Sequence, residues 1–227
     1  MTLFRLSGLT LSLLCFFFWG IQEVLCKKIL VVGSVNADTF LSVAKLPEEG
    51  ENLVCETEPV IDVPGGKGCT QAVAASKLLN QRDSHIVCFL GQFGNDDVAM
   101  RLQNVLKAAH VDISDSGFDS NFPSGRGYVF LSHSTGQVSA VVSGGSNQHG
   151  WKDFECAWAQ YSNHPEKIVL DGLIDRVLQD CSCLLLQREI PEHVNQLFAA
   201  KAHARGIPGK RFFLGFVNAS NIYSPDS

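Results

Sequence analysis

The chain alternates between short, uninterrupted apolar runs and longer stretches with a helical period. Ile29 to Gly33 is a continuous apolar run ending at glycine, the pattern of a strand buried on both faces, and Gln71 to Leu79 is alanine-rich and helical. The cycle repeats with a strand over Ile86 to Leu90, a helix from Val98 to Ala109 capped by Asn95 or Asp96, a strand over Cys183 to Gln187 and a helix from Pro191 to Ala204. That alternation predicts an α/β fold, an open and mainly parallel sheet wrapped by helices. Two segments break the rhythm. Thr39 to Val63 and Gly127 to Val142 run strand-like without helices between them, the second turning at Ser134-Thr135-Gly136-Gln137, and predict a small β-layer over the sheet edge.

The first 26 residues read differently. Arg5 precedes an apolar stretch from Leu9 to Ile21, about 13 residues, too short for a stable membrane span but suited to a signal-peptide core. This leader is consistent with secretory or plastid routing, with a cytoplasmic location if it is not used. The cysteines show no framework spacing, so Cys55, Cys69, Cys88, Cys156, Cys181 and Cys183 read as reduced thiols in apolar surroundings. Asn218-Ala219-Ser220 is a glycosylation sequon, meaningful only on a secretory route.

Composition narrows the function. With 227 residues, 45% of them hydrophobic, the chain can bury a full core, and a net charge of −5 with scattered lysines and arginines argues against a nucleic-acid partner. The histidines have no metal-ligand spacing, and Ser124 and Ser146 form no nucleophile elbow.

In an open α/β sheet ligands bind beyond the carboxyl ends of strands, which directs attention to three places. Asn36 and Asp38 follow the first strand; an amide and a carboxylate one residue apart can bond adjacent hydroxyls, although an Asx turn has the same composition. Gly65-Gly66-Lys67-Gly68 opens a helix and permits close backbone approach, or serves only as a tight turn; no Ser or Thr follows the lysine, so it lacks the P-loop pattern. Glu189 sits at the tip of a later strand, as a ligand for one more hydroxyl or as an acid favoured near the helix that starts at Pro191. Together these positions read as a pocket for a small polyhydroxylated ligand.

These residues resemble the ribokinases of the PfkB carbohydrate kinase family. The matching pieces are Gly33 to Asp38, Pro64 to Gly68 followed by Gln71 to Ala75, the turn Gly91 to Asp96, the turn Gly144 to Asn147, and Leu185 to Pro191, the last as plant-type ribokinases have it. The resemblance covers Lys28 to Pro208. It implies that Asn36 and Asp38 bind sugar hydroxyls, that Gly65, Gly66 and Lys67 form the glycine-turn contacts, and that Glu189 is the strand-tip carboxylate. Thr70 stands where the family usually has an asparagine that reaches the sugar, which alters affinity or sugar preference. The two β-rich segments, about 39–63 and 127–142, match the family's lid, which often pairs between subunits and so implies a homodimer.

The family further implies phosphorylation of the 5-hydroxyl of D-ribose by ATP with Mg²⁺ and a monovalent cation. The family's acidic Mg²⁺-associated motif, its Asp-Thr-x-Gly-Ala-Gly-Asp anion hole with the catalytic base, and its adenine pocket have no counterpart in this sequence, and the residues from Gly209 to Ser227 read as an unrelated tail. The expectation is a sugar-binding portion, cut after Pro208, carrying no catalytic residue and inactive as given. The alternative is a non-catalytic sugar-binding or regulatory module of the same fold.

Overall fold

The apolar run at Ile29 becomes β1 (Lys27–Val32), which lies in the middle of a parallel sheet because both of its faces are apolar. The structure, a computed structural model, describes residues 27–79, 85–152, 154 and 172–211. The leader, Cys156, His164, the sequon at Asn218 and the apolar stretch 212–217 lie outside the described residues.

In chain order β1 is followed by β2 (Asn36–Val43), β3 (Val60–Gly65), α1 (Lys67–Leu78), β4 (His85–Leu90), β5 (Gln92–Gly94), α2 (Asp97–Ala108), β6 (Val111–Asp112) and β7 (Gly117–Asp119). Then come β8 (Gly125–Ser132), β9 (Val138–Ser143), α3 (Ser146–His149), α4 (Gly172–Val177), β10 (Cys181–Leu186), α5 (Glu192–Ala204) and β11 (Gly209–Arg211). Among the described residues the main sheet has the order β11-β10-β1-β4-β6, and each neighbouring pair is parallel.

Alternation along the strands sorts side chains into two cores. Leu30 and Val32 share one face with Leu90, Leu184 and Leu186 and pack against Trp151, Phe154 and the Val194, Leu197 and Phe198 stripe of α5. Val31, Val87 and Phe89 face the other way, onto Cys69 and Ala72 of α1 and Leu102 and Leu106 of α2. Helix α2 starts where Asp96 accepts a hydrogen bond from the Ala99 amide at 2.9 Å, the capping expected from sequence. Burial would by itself raise the Asp96 carboxyl, but the Ser124 amide and hydroxyl and the Ala99 amide outweigh it and hold it below the usual range.

The two strand-like segments form a separate four-stranded sheet, β3-β2-β8-β9. Its central pair, β2 and β8, is parallel, while β3 and β9 are antiparallel to their neighbours. The β8–β9 connection turns at Gly136, whose φ of 66° suits glycine. Arg101 of α2 meets Asp62 of β3 at 2.8 Å, so the small sheet is tied to the helical layer.

Two boundaries differ from expectation. The main sheet does not end at Pro208, because Gly209 to Arg211 pair with Leu184 to Leu186 as β11. Helix α1 begins at Lys67, a turn before Gln71, so the glycine-rich turn supplies its first residues. Among the described residues Cys55, Cys69, Cys88, Cys181 and Cys183 form no disulfide, and burial pushes Cys69 up to about 11 and Cys88 up to about 12.

Candidate functional site

After β1 the chain passes through Gly33, Ser34 and Val35 and re-enters extended structure at Asn36. Asn36 and Asp38 therefore lie within β2, and the Asx-turn alternative is not what forms. With Phe40 they alternate onto one face of that strand. Pairing carries Gly65 and Val63 of β3, Gly127 and Val129 of β8, and Val142 and Ala140 of β9 onto the same face.

That face meets the first turn of α1. Lys67, Thr70 and Gln71 are spaced i, i+3 and i+4 and share one side of the helix. Between helix and sheet lies a cleft of about 450 Å³, within the range of small-molecule sites. Its walls include all seven residues singled out from sequence: Asn36, Asp38, Gly65, Gly66, Lys67, Thr70 and Glu189.

Glu189 holds the cleft together from below. It follows β10, and its Oε2 accepts hydrogen bonds from the Ser34 hydroxyl at 2.6 Å and the Lys67 amide at 2.8 Å, while Oε1 takes the Lys67 ammonium. The acid thus caps α1, a helix more than a hundred residues upstream, rather than the adjacent α5. Gly66 reaches the required turn with a φ of 86° and offers no side chain of its own as a cap. Burial alone would raise the Glu189 carboxyl; the hydrogen bonds from Lys67 and Ser34 outweigh it and hold it below the usual range.

Asp38 is in the opposite situation. Its carboxylate lies between two glycines: a Cβ on Gly65 would fall 1.9 Å from Oδ2, and one on Gly127 would fall 2.3 Å from Oδ1. Burial first, and then the charge of Glu189, push its carboxyl above the usual range, with the Gly127 backbone pulling the other way. Oδ1 is buried yet has no hydrogen-bond partner of good geometry among the described residues.

Asn36 is positioned by a residue not among the sequence candidates. Asn147, in the short helix α3 that follows β9, is 1% exposed. Its Oδ1 accepts from the Val35 amide at 2.9 Å, and its Nδ2 donates to the Val35 carbonyl at 3.0 Å and to Asn36 Oδ1 at 2.8 Å. This leaves the Asn36 Nδ2 to donate elsewhere. Ser34 is a second contributor missed from sequence, although it sits inside the Gly33–Asp38 segment; Asn147 sits inside the Gly144–Asn147 turn.

The arrangement offers a carboxylate acceptor at Asp38, an amide donor at Asn36, a hydroxyl at Thr70 and a fixed cation at Lys67. Groups of opposite hydrogen-bonding sense on adjacent residues suit a ligand with neighbouring hydroxyls. The amide at the start of α1 is already given to Glu189, so this helix end does not cradle a phosphate. Among the described residues no three His, Cys, Asp or Glu side chains converge as a metal site, and no helix is long and apolar enough to cross a membrane.

Comparison with known proteins places this geometry. A profile of the pfkB family carbohydrate kinases matches residues 27–213. Ribokinase of Arabidopsis thaliana is 31% identical over 184 residues, covering 79% of this chain and 42% of that protein. Ribokinase of Staphylococcus aureus is 32% identical over 179 residues, covering 78% and 51%. The solved structure of Arabidopsis thaliana ribokinase complexed with ribose and ATP superposes with a TM-score of 0.65 at 28% identity, covering 84% of this chain and 55% of that one. The chain spans about half the length of the curated relatives it matches.

Proposed function

Because the chain belongs to the pfkB family of carbohydrate kinases, we propose that its cleft is the sugar site of a ribokinase-type enzyme and that D-ribose is its ligand. The observation that carries this reading is the convergence of Asn36, Asp38, Gly65, Gly66, Lys67, Thr70 and Glu189 on one cleft, with a buried Asp38 oxygen left unpartnered. Asp38 accepts from a sugar hydroxyl, Asn36 donates through Nδ2, and Thr70 contacts the ring's edge. Lys67 and Glu189 hold each other and keep the helix start close to the sugar.

The small sheet serves as the lid over this site. Its inner face, with Phe40, Val129, Ala140 and Val142, is apolar and suited to excluding water once a ligand is bound. On its outer face Tyr128 and Val141, directly paired across the strands, are both exposed, and a second copy of the chain docks there.

In the complete reaction ATP donates a phosphoryl group to the 5-hydroxyl of ribose, in keeping with the relative solved with ribose and ATP. The described residues do not fit Mg²⁺, since no acidic cluster forms among them, and the sequence has no Asp-Thr-x-Gly-Ala-Gly-Asp segment to stabilise the transferring group. We therefore assign sugar binding to these 227 residues and no phosphoryl transfer. Equilibrium dialysis of labelled D-ribose, run beside a transfer assay with ATP and Mg²⁺, tests both parts. The reading predicts retained ribose and no ribose 5-phosphate; a folded chain that retains no ribose contradicts it, and product formation contradicts the assignment of binding alone.

A further inference from the structure

Gln71 lies in the wall of the cleft, one helical turn beyond Lys67. Both atoms of its side-chain amide, Nε2 and Oε1, are buried and have no hydrogen-bond partner among the described residues. A buried amide left in this state is costly, and most such groups in folded proteins are satisfied. Among the described residues that line the cleft, one other group shares the condition, Asp38 through its Oδ1. The two come from different elements, β2 and α1, and line the same space.

We propose that Gln71 is a sugar-binding and specificity-determining residue, its amide satisfied by a ligand hydroxyl that both donates and accepts. This rests on the reading of the cleft as a sugar site and adds a contact that the motif residues do not supply. The chemistry is matched: Asp38 accepts a hydrogen bond from one hydroxyl, while the Gln71 Oε1 accepts from, and its Nε2 donates to, another. Beyond Asn36 and Asp38, the sheet wall presents Phe40, Val63, Val129, Ala140 and Val142, which have no side-chain polar atom to do this. A ligand missing that hydroxyl leaves the amide buried and unpaired, which is how a site built on hydrogen bonds rejects a deoxy analogue.

The test is calorimetric titration of D-ribose, with thermal melts of the unliganded protein, on the 227-residue chain and on its Gln71→Met and Gln71→Glu variants. Met keeps the length and removes the polar atoms; Glu keeps the shape and removes the donor. Both variants should bind ribose roughly ten- to a hundredfold more weakly, and Gln71→Met should melt no lower than the parent without ligand, because it removes an unsatisfied group. Ribose affinity within about twofold of the parent in Gln71→Met overturns the assignment, as does a clear fall in its unliganded melting temperature, which would reveal a structural partner for the amide. If the parent itself binds no ribose, the sugar-site reading fails and the inference with it; if the parent binds and the variants bind equally, only the role of Gln71 fails.

Discussion

The Glu189 carboxylate accepts a hydrogen bond from the Lys67 backbone amide at 2.8 Å and also takes the Lys67 side-chain ammonium, so the acid at the end of one strand caps the helix that opens the cleft. The contact joins residues 122 positions apart and sets the distance between two walls of the site.

Removing it should loosen the cleft before it unfolds the domain. Glu189→Gln keeps the shape and loses the charge, and should cost about 1–3 kcal/mol of stability at neutral pH. The Glu189 pKa is lowered in the folded state, so its stabilisation is present above the ordinary carboxylate range and is lost as pH falls through the lowered value. Chemical denaturation across pH should show a shallower acid limb in Glu189→Gln than in the parent.

Asp38 should behave in the opposite way. Its folded pKa is raised, so the ionised form costs stability at neutral pH and the cost disappears as pH falls through the raised value. Asp38→Asn should melt a few degrees higher than the parent at pH 7 and lose that advantage in acid, while ribose binding drops at least tenfold. Differential scanning calorimetry at two pH values, with a ribose titration, reads both effects.

Two glycines should separate ligand binding from folding. A Cβ on Gly65 meets the end of the Asp38 side chain at 1.9 Å, whereas one on Gly68 meets the Ser34 backbone at 2.7 Å. Gly65→Ala should therefore displace the carboxylate and abolish sugar binding with a small change in melting temperature. Gly68→Ala forces α1 away from the tip of β1 and should cost stability on the scale of core overpacking, about 1–3 kcal/mol.

Asn147→Ala removes the clamp on Val35 and Asn36. It leaves a buried amide and carbonyl unpaired and should cost about 2–4 kcal/mol, with ribose binding weakened although Asn147 does not line the cleft. Hydrogen exchange at the Val35 amide should rise in this variant.

The main sheet was legible because its strands are buried on both faces and write themselves as apolar runs, as at Ile29 and Ile86. The cleft's lining was legible in part because polar residues such as Asn36, Asp38 and Glu189 follow those runs closely. What local sequence did not carry were partnerships across the chain. Asn36 and Asp38 share their composition with an Asx turn and become strand residues because β3 pairs on one side of them and β8, some ninety positions on, on the other. Helix α1 starts early because Glu189 satisfies an amide that its glycine-rich first turn cannot. Ser34 and Asn147 matter through bonds to Glu189 and Asn36, which spacing does not reveal, and β11 exists only as an edge partner of β10.

The central claim, that this chain holds a ribose site centred on Asp38, is met most directly by isothermal titration of D-ribose into the 227-residue chain and into Asp38→Ala. The account predicts saturable one-site binding by the parent and none by the variant, with matching circular dichroism. Equal binding by both, or no binding by a folded parent, would contradict it.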